Sequence, residues 1–233
     1  MRKVTIGLDT AKSVFHLVFM SDRGAVLKKK KLKRHQVLSY FANLPPAIVV
    51  MEACGATHYW CRAIGALGHE CKAIAPQYVV MYRKGNKHDY NDAQAIAEAS
   101  QREEMRFVPL KSQTQQDIQV VHRVRERLIG QRTAVGNQIR GLLAEYGIII
   151  PKGISKVMGE LPDIVDDDDN GLSIMACCQF RLLLEELKTQ QLRLKALDKQ
   201  LQQISTEHPT CQRLMSMTGI GPLIASALYA GVG

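Results

Sequence analysis

The sequence predicts an α/β protein in which a mixed β-sheet with flanking helices comes first and a region of long helices follows. Three observations support this prediction. Three short apolar runs joined by tight turns open the chain, strands and helices then alternate, and from about residue 111 apolar residues recur at helical spacing. With 233 residues, 46% of them hydrophobic, the chain can bury a core in one or two domains.

The first three predicted strands form an antiparallel meander. The run "KVTIGLD" contains Asp9, "VFHLVFM" follows after a short turn, and "SDRG" leads into "AVLKKKKLK". Tight turns between consecutive apolar runs are typical of neighbouring antiparallel strands. We therefore expect Asp9 in the first strand and a run of lysines in the third.

From residue 35 the pattern alternates between helix and strand. "HQVLSYFANL" is helical, "AIVVMEA" is a buried strand that contains Glu52, and "THYWCRAIGALG" is a helix that stops at Gly68. "ECKAIAP" is a further strand, and a loop then precedes a helix over 91–103. Antiparallel strands followed by this alternation indicate a mixed α/β sheet.

Two long helices are predicted in the second half of the chain, over about 112–147 and 172–206. The second carries an apolar seam with alternating spacings of four and three, broken only by Gln190, which is typical of a coiled coil. The segment between the helices is rich in proline, glycine and aspartate, and we expect it to be a connecting loop. The helices would pack as an antiparallel pair or form a dimerising arm. The seam consists of Leu183, Leu187, Leu194, Leu197, Leu201 and Ile204.

Charge and composition indicate a partner with many negative charges. The formal net charge is +9 at pH 7, which is typical of proteins that bind nucleic acid. No secretory signal and no apolar run long enough for a membrane span is recognisable, so we expect a cytoplasmic protein without membrane association. The six cysteines lack the paired spacing of zinc sites, and we expect free thiols.

Four acidic residues occupy positions where an unpaired charge would be energetically unfavourable. Asp9 and Glu52 each occur in an apolar strand, while Asp89 and Asp92 lie three apart at the start of a helix and so share one face. Each has an ordinary explanation as well: Asp9 could close a turn, Glu52 could be a surface acid, and Asp89 could cap the helix. If all four converge without arginine partners, Mg²⁺ is the natural counter-charge, since it prefers hard oxygen ligands.

The motifs that carry these acids resemble a known family. "GLDTAK", "VMEACG" and "KHDYNDAQAIAEA" are similar to the DEDD motifs of a family of bacterial insertion-sequence transposases, which includes the Piv-type DNA invertases. The resemblance implies a ribonuclease-H-like (RuvC-like) fold and a metal-binding, catalytic tetrad of Asp9, Glu52, Asp89 and Asp92. It also implies two Mg²⁺ ions that assist phosphodiester chemistry.

The same resemblance implies a division of the chain into three parts. Residues 1–108 would form the RuvC-like domain, 109–208 a helical coiled-coil region, and 209–233, with "TGIGP", the start of a C-terminal domain. Family members have a serine nucleophile in a Ser/Gly-rich motif of that last domain, and the motif is absent from this sequence. Ser226 does not match it, so the chain resembles a member truncated before the serine. The family also implies donor and target DNA and a structured guide RNA as partners.

Basic residues in three regions are candidates for binding nucleic acid. Those in the third strand could instead form a solvated face, whereas arginines on the first long helix are well suited to phosphate contacts. The candidates are Lys28, Lys29, Lys30, Lys31, Arg34, Arg83, Lys84, Lys87, Arg123, Arg125, Arg127, Arg132 and Arg140.

Three functions fit these features. The first is a transposase or site-specific recombinase that pairs the acidic site with a C-terminal serine and forms oligomers through the coiled coil. The second is a stand-alone nuclease that resolves Holliday junctions, which would not need the coiled-coil seam or the "TGIGP" segment. The third is a non-catalytic protein that binds nucleic acid or dimerises.

Overall fold

The computed structural model describes residues 4–83 and 88–232, which fall into two compact units divided after Ser112. The first unit contains one six-stranded sheet with strand order β3-β2-β1-β4-β5-β6. β1, β2 and β3 form the antiparallel meander, β4 and β5 run parallel to β1, and β6 is antiparallel to β5. The strands are β1 (Thr5–Thr10), β2 (Val14–Met20), β3 (Val26–Lys33), β4 (Ile48–Glu52), β5 (Glu70–Ile74) and β6 (Phe107–Val108).

Helices cover both faces of this sheet. One face packs against α1 (Val37–Ala42) and α2 (Thr57–Gly65) around a core that includes Phe15, Phe41 and Trp60. The other face packs against α3 (Pro76–Val80) and α4 (Asp89–Ser100). This strand order and the helices on both faces define a ribonuclease-H-like α/β fold, and the predicted fold class is confirmed.

The second unit is helical. Its elements are α5 (Gln113–Glu145), α6 (Ile154–Asp166), α7 (Ile174–Glu207), α8 (Pro209–Met215) and α9 (Pro222–Gly231). The long helices α5 and α7 pack together, and α6 and α9 pack on both of them. No helix among the described residues is long and apolar enough to cross a membrane.

The structure differs from the sequence-based expectation in the connector between the two long helices. We expected a loop, but residues 154–166 form α6. Val157, Leu161 and Val165 recur every fourth residue and are buried against α5 and α7, which favours a helix in spite of Pro162 within it. Tertiary burial of this apolar stripe outweighs the proline and glycine signals on which the loop prediction depended.

The leucine seam of α7 is covered within the single chain. Leu187, Leu194 and Leu201 are at most 3% exposed, while Leu183, Leu197 and Ile204 are half-buried. Leu187 belongs to a core formed with α5 and α6, and Leu201 packs with Ile118 of α5 and Ala230 of α9. The seam therefore packs within one chain, in line with the alternative in which the two long helices pack on each other, and self-association through it stays a prediction.

Candidate metal centre and nucleic-acid surface

One row of polar residues crosses four neighbouring strands. Asp9 of β1 lies opposite His16 of β2, and His16 lies opposite Lys31 of β3. On the other side of β1, Leu8 pairs with Met51, so Glu52 comes next to Asp9 at the end of β4. Directly opposite residues share a face of a sheet, and this row faces α4. The topology thus unites two acids that are far apart in sequence.

The helix α4 supplies the other two predicted acids. It begins at Asp89, two residues before the predicted start, and packs on β1 and β2. Its N-cap is His88, whose side chain accepts a hydrogen bond from the Tyr90 amide. Neither carboxylate is therefore the cap, and the explanation of Asp89 as an N-cap is wrong. Asp92 is 8% exposed, which a role at the helix terminus alone does not require.

The four carboxylates are close enough to influence one another electrostatically. The pKa of Asp9 is raised from 3.8 to about 6, first by burial and then by the negative charges of Asp92, Asp89 and Glu52, in that order of importance. A hydrogen bond from the Thr10 backbone opposes this shift. The repulsion that the sequence predicted is thus centred on Asp9, and a bound cation would relieve it.

Two basic side chains contact the helix carboxylates. Arg83 forms an ion pair with Asp92 through its Nε atom, and His16 Nδ1 lies 3.4 Å from Asp89 Oδ2. The expectation that no arginine meets these acids is therefore wrong for Asp92. Arg83, which we predicted to bind nucleic acid, partly neutralises the site in this structure.

The donor set suits a divalent cation. Asp9, His16 and Asp89 each offer a ligand atom, and these atoms lie within 4.8 Å of one another, the only such group among residues 4–83 and 88–232. Glu52 and Asp92 add carboxylates near Asp9. Oxygen donors in this number are typical of Mg²⁺ or Mn²⁺ sites. The residues therefore fit the metal that the sequence implied, while the full tetrad and the number of ions stay predictions.

His16 and Gly7 were not singled out from the sequence. His16 is a buried polar residue in the otherwise apolar run "VFHLVFM", and that interruption is the signal which could have identified it. Gly7 lies two residues before Asp9, on the face of β1 that α4 covers. Its role depends on how closely the helix approaches, which no local pattern reveals.

The lysine run of β3 divides between the two faces of the sheet, because side chains alternate along a strand. Lys31 faces the site in register with His16, and Lys29 Nζ lies 5.8 Å from the centre of the Tyr90 ring. Lys28 and Lys30 lie over Phe19 and Tyr40 on the opposite face. All four lysines are exposed at the edge of the sheet. Two of them therefore flank the acidic site and two do not.

The predicted arginines have different surroundings. Arg34 lies over the Trp60 ring at 5.0 Å, and Arg123 is exposed on α5. The remaining arginines of α5 contact other residues of the second unit. Arg125 pairs with Asp198, Arg127 donates to Gln131, Arg132 donates to Gln191, and Arg140 donates to the Ile150 carbonyl and to Asn137. Binding of nucleic acid by this set stays a prediction, and Lys84 and Lys87 lie outside the described residues.

Ser226 is buried within the second unit. It is 0% exposed, and its hydroxyl donates to the Pro222 carbonyl one turn earlier at 2.8 Å. His122 Nε2 of α5 lies 3.1 Å from the same oxygen. Ser226 thus joins α9 to α5, and its hydroxyl is enclosed by protein.

The six cysteines are free thiols, as expected.

The fold and the clustered acids define the class of ribonuclease-H-like proteins with a carboxylate site. Residues 6–148 match the family model of DEDD transposases of the IS110 group, described as "Transposase". The chain is 44% identical over 229 residues to a "Probable family 20 transposase" of Pseudomonas aeruginosa, covering 98% of this chain and 68% of that protein. The chain belongs to this family of insertion-sequence transposases.

Further relatives have the same description. The transposase for insertion sequence element IS1111A of Coxiella burnetii is 40% identical, with 98% of this chain and 63% of the relative covered. The transposase for IS1328 of Yersinia enterocolitica is 34% identical, with 98% and 67% covered. Among solved structures, Thermus thermophilus RuvC in complex with a Holliday junction substrate matches 42% of this chain and 92% of its own chain, at 14% identity and a TM-score of 0.32. The chain thus spans about two thirds of the length of these transposases.

Proposed function

We propose that this chain carries the metal-dependent half of the active site of a DNA transposase or site-specific recombinase. The observation that carries this proposal is the convergence of Asp92, Asp89 and Glu52 on Asp9; burial and these negative charges together raise the pKa of Asp9 to about 6. Membership in a transposase family supports DNA as the substrate. Donor and target DNA in the bacterial cytoplasm, and a structured guide RNA, complete the proposal by resemblance to the family.

The proposed roles of the four acids follow from their positions. Asp9 and Glu52 are fixed by neighbouring strands, whereas Asp89 and Asp92 reach the site from one face of α4. Two Mg²⁺ ions held by these carboxylates would activate the attacking oxygen and stabilise the leaving oxygen of a phosphodiester. The rigid strands orient the site, and the exposed side of Asp89 leaves it open to a DNA backbone.

The proposed nucleic-acid surface lies beside this site. Lys29 and Lys31 border the acids on the sheet edge, where they would hold the phosphates that flank the reacting one. We also propose phosphate contacts for Arg34, which lies over the Trp60 ring, and separately for Arg123 on the exposed surface of the second unit. Binding should therefore weaken steeply with salt: for about six phosphate contacts, the slope of log affinity against log salt would be roughly −4 to −5.

Strand exchange requires a nucleophile in addition to the metal site. We propose that a serine of the family's Ser/Gly-rich motif, which these 233 residues do not include, supplies it. Ser226 is a poor candidate because it is enclosed by protein and bonded to its own helix. Self-association, which is also part of the proposal, would need surfaces other than the buried positions of the α7 seam.

A stand-alone nuclease that resolves junctions is the second candidate, since the acidic site could hydrolyse DNA without a serine. One experiment separates the two. The chain is incubated with Mg²⁺ and a labelled four-way DNA junction, next to the variant Asp92→Asn. We expect metal-dependent binding by the unaltered chain, loss of that dependence in the variant, and neither free hydrolytic cuts nor a covalent adduct.

The other outcomes of this experiment are informative as well. Cuts that require Asp92 and leave no adduct would favour the resolvase. A covalent protein–DNA adduct would show that the nucleophile lies within these residues, and Ser226→Ala would be the first variant to test. Binding that ignores both Mg²⁺ and Asp92 would favour a non-catalytic protein and contradict the proposal.

A further inference from the structure

We propose that His16 is a positioning residue of the metal site, which donates a hydrogen bond from Nδ1 to Asp89 and holds that carboxylate towards Asp9. This inference rests on the proposed metal-dependent function. The observation behind it is the contact of 3.4 Å between His16 Nδ1 and Asp89 Oδ2. Asp9, His16 and Asp89 also bring their ligand atoms within 4.8 Å of one another.

The surroundings of His16 keep its ring in place. The residue is 5% exposed in the centre of β2, with Asp9 opposite it on β1 and Lys31 opposite it on β3. The Tyr90 ring packs edge-on against the imidazole with the two centres 4.8 Å apart. A buried side chain on a central strand is well suited to orient a partner, because its own rotamer is fixed by packing.

Asp89 in turn needs such support. Its side chain is 65% exposed at the first position of α4, where a carboxylate can turn towards solvent. An Asp that rotates freely loses conformational entropy when it binds a cation, and this loss weakens the site. A hydrogen bond from His16 would remove that freedom beforehand, in the way that outer-shell groups orient metal ligands in other proteins.

The bond does not depend on the charge of the imidazole. The neutral tautomer with hydrogen on Nδ1 and the imidazolium both donate from this atom. Since Mg²⁺ prefers oxygen ligands, and Nδ1 already lies next to the Asp89 oxygen, we assign His16 to the support of a ligand. Direct coordination by the imidazole is the competing possibility.

Substitutions that mimic one ring nitrogen at a time distinguish a hydrogen bond from simple filling of space. In His16→Asn the side-chain amide nitrogen can take the place of Nδ1, whereas in His16→Gln it takes the place of Nε2. His16→Leu keeps a similar volume without any donor. Mn²⁺ serves as the probe, and its affinity is measured by electron paramagnetic resonance on the full 233-residue chain, with thermal unfolding of each metal-free variant as a control for folding.

We expect His16→Leu and His16→Gln to bind Mn²⁺ about 10- to 100-fold more weakly than the unaltered chain, the usual effect of losing an outer-shell partner. His16→Asn should remain within about threefold, because it retains the donor at the right place. If His16→Leu does not fold, the comparison of the Asn and Gln variants alone decides. The spin-echo spectrum of bound Mn²⁺ should lack the strong nitrogen coupling of a directly bound imidazole.

Three results would overturn the inference. Equal affinities of the Asn and Gln variants would show that the position of the donor is irrelevant. A strong nitrogen coupling in the unaltered chain would show that His16 is itself a ligand. Absence of Mn²⁺ binding in the unaltered chain would overturn the metal site together with the role of His16, whereas the first two results leave the proposed function intact.

Discussion

Gly7 of β1 lies directly beneath Ala93 of α4. A Cβ atom placed on Gly7 would be 2.0 Å from the Ala93 carbonyl oxygen and 2.8 Å from the Ala97 backbone nitrogen. No side chain fits at this crossing, so the helix rests on the strand backbone. Asp9 follows Gly7 by two residues on the same face, and Asp92 directly precedes Ala93. The missing side chain of Gly7 therefore lets the strand acid and the helix acid meet.

Gly7→Ala should separate these acids. The added methyl group would meet backbone atoms, which cannot move aside as a flexible side chain does, so we expect destabilisation of about 3 kcal/mol or more. In any folded fraction, Mn²⁺ affinity should fall, because α4 must move away from β1. Urea unfolding and a Mn²⁺ titration measure both effects. Gly65→Ala is the matched control, since nothing lies within 4 Å of its Cβ position; equal behaviour of the two variants would contradict this role.

The raised pKa of Asp9 predicts how stability depends on pH without metal. Its pKa is about 6 in the folded chain against 3.8 for an ordinary Asp, so the unfolded chain loses this proton first as pH rises. The free energy of unfolding should therefore decrease between pH 3.8 and about 6. Asp9→Asn should lack this contribution and melt at a higher temperature than the unaltered chain at pH 7.5 in EDTA.

Mg²⁺ should restore the stability that the metal-free chain loses when Asp9 ionises. Because cations compete with protons for carboxylates, Mg²⁺ should raise the melting temperature of the unaltered chain at pH 7.5 and have little effect at pH 5. Asp9→Asn should not respond at either pH, whereas Asp117→Asn, an exposed change in the second unit, should respond like the unaltered chain. A response of Asp9→Asn equal to that of the unaltered chain would exclude Asp9 as a ligand.

Arg83 forms an ion pair with the Asp92 carboxylate. Arg83→Gln should destabilise the metal-free chain, by about 1–3 kcal/mol, because it leaves the buried Asp92 carboxylate without its counter-charge. The same substitution should tighten Mn²⁺ binding, because the cation no longer competes with the guanidinium. Calorimetry with and without Mn²⁺ measures both changes, with Arg102→Gln as control. Weaker Mn²⁺ binding would show that Arg83 supports the site.

The lysines of β3 offer an internally controlled test of the DNA surface. Lys29→Glu with Lys31→Glu changes the face that carries the acids, and Lys28→Glu with Lys30→Glu makes the same change in charge on the other face. We expect the first pair to weaken binding to a DNA junction at least tenfold more than the second. It should also make the slope of log affinity against log salt less steep by about 2. Equal effects would indicate attraction by net charge alone.

The α7 seam predicts a difference between two neighbouring leucines. Leu194 is 3% exposed and Leu192 is 68% exposed. Leu194→Asp should unfold the helical unit, because it buries a charge among apolar side chains, whereas Leu192→Asp should leave the helical signal in circular dichroism unchanged. Light scattering on the same samples tests for self-association. A folded Leu194→Asp chain with a lower molecular mass than the unaltered chain would show that the seam joins two copies.

The sequence alone predicts much of the first unit, because its signals are local. Apolar runs separated by turn residues specify the meander, and the alternation after residue 35 specifies the mixed sheet. The sequence also marks Asp9, Glu52, Asp89 and Asp92 as candidates, because charges in apolar strands and two acids on one helix face are local signals. Their grouping into one tetrad depended on the resemblance to a family and stays a prediction. The helical spacing of α5 and α7 likewise depends on periodicity alone.

The tertiary structure decides what these residues contact. Three contacts depend on the register between strands and on how closely a helix approaches them. They are the ion pair of Arg83 with Asp92, the contact of His16 with Asp89 and the crossing of α4 over Gly7. The same holds for the α7 seam. A heptad pattern predicts a buried apolar stripe but does not identify the residues that cover it. In this chain the stripe is covered by α5, α6 and α9. Apolar periodicity in a sequence indicates which side chains are buried. Which residues bury them depends on the packing of the whole fold.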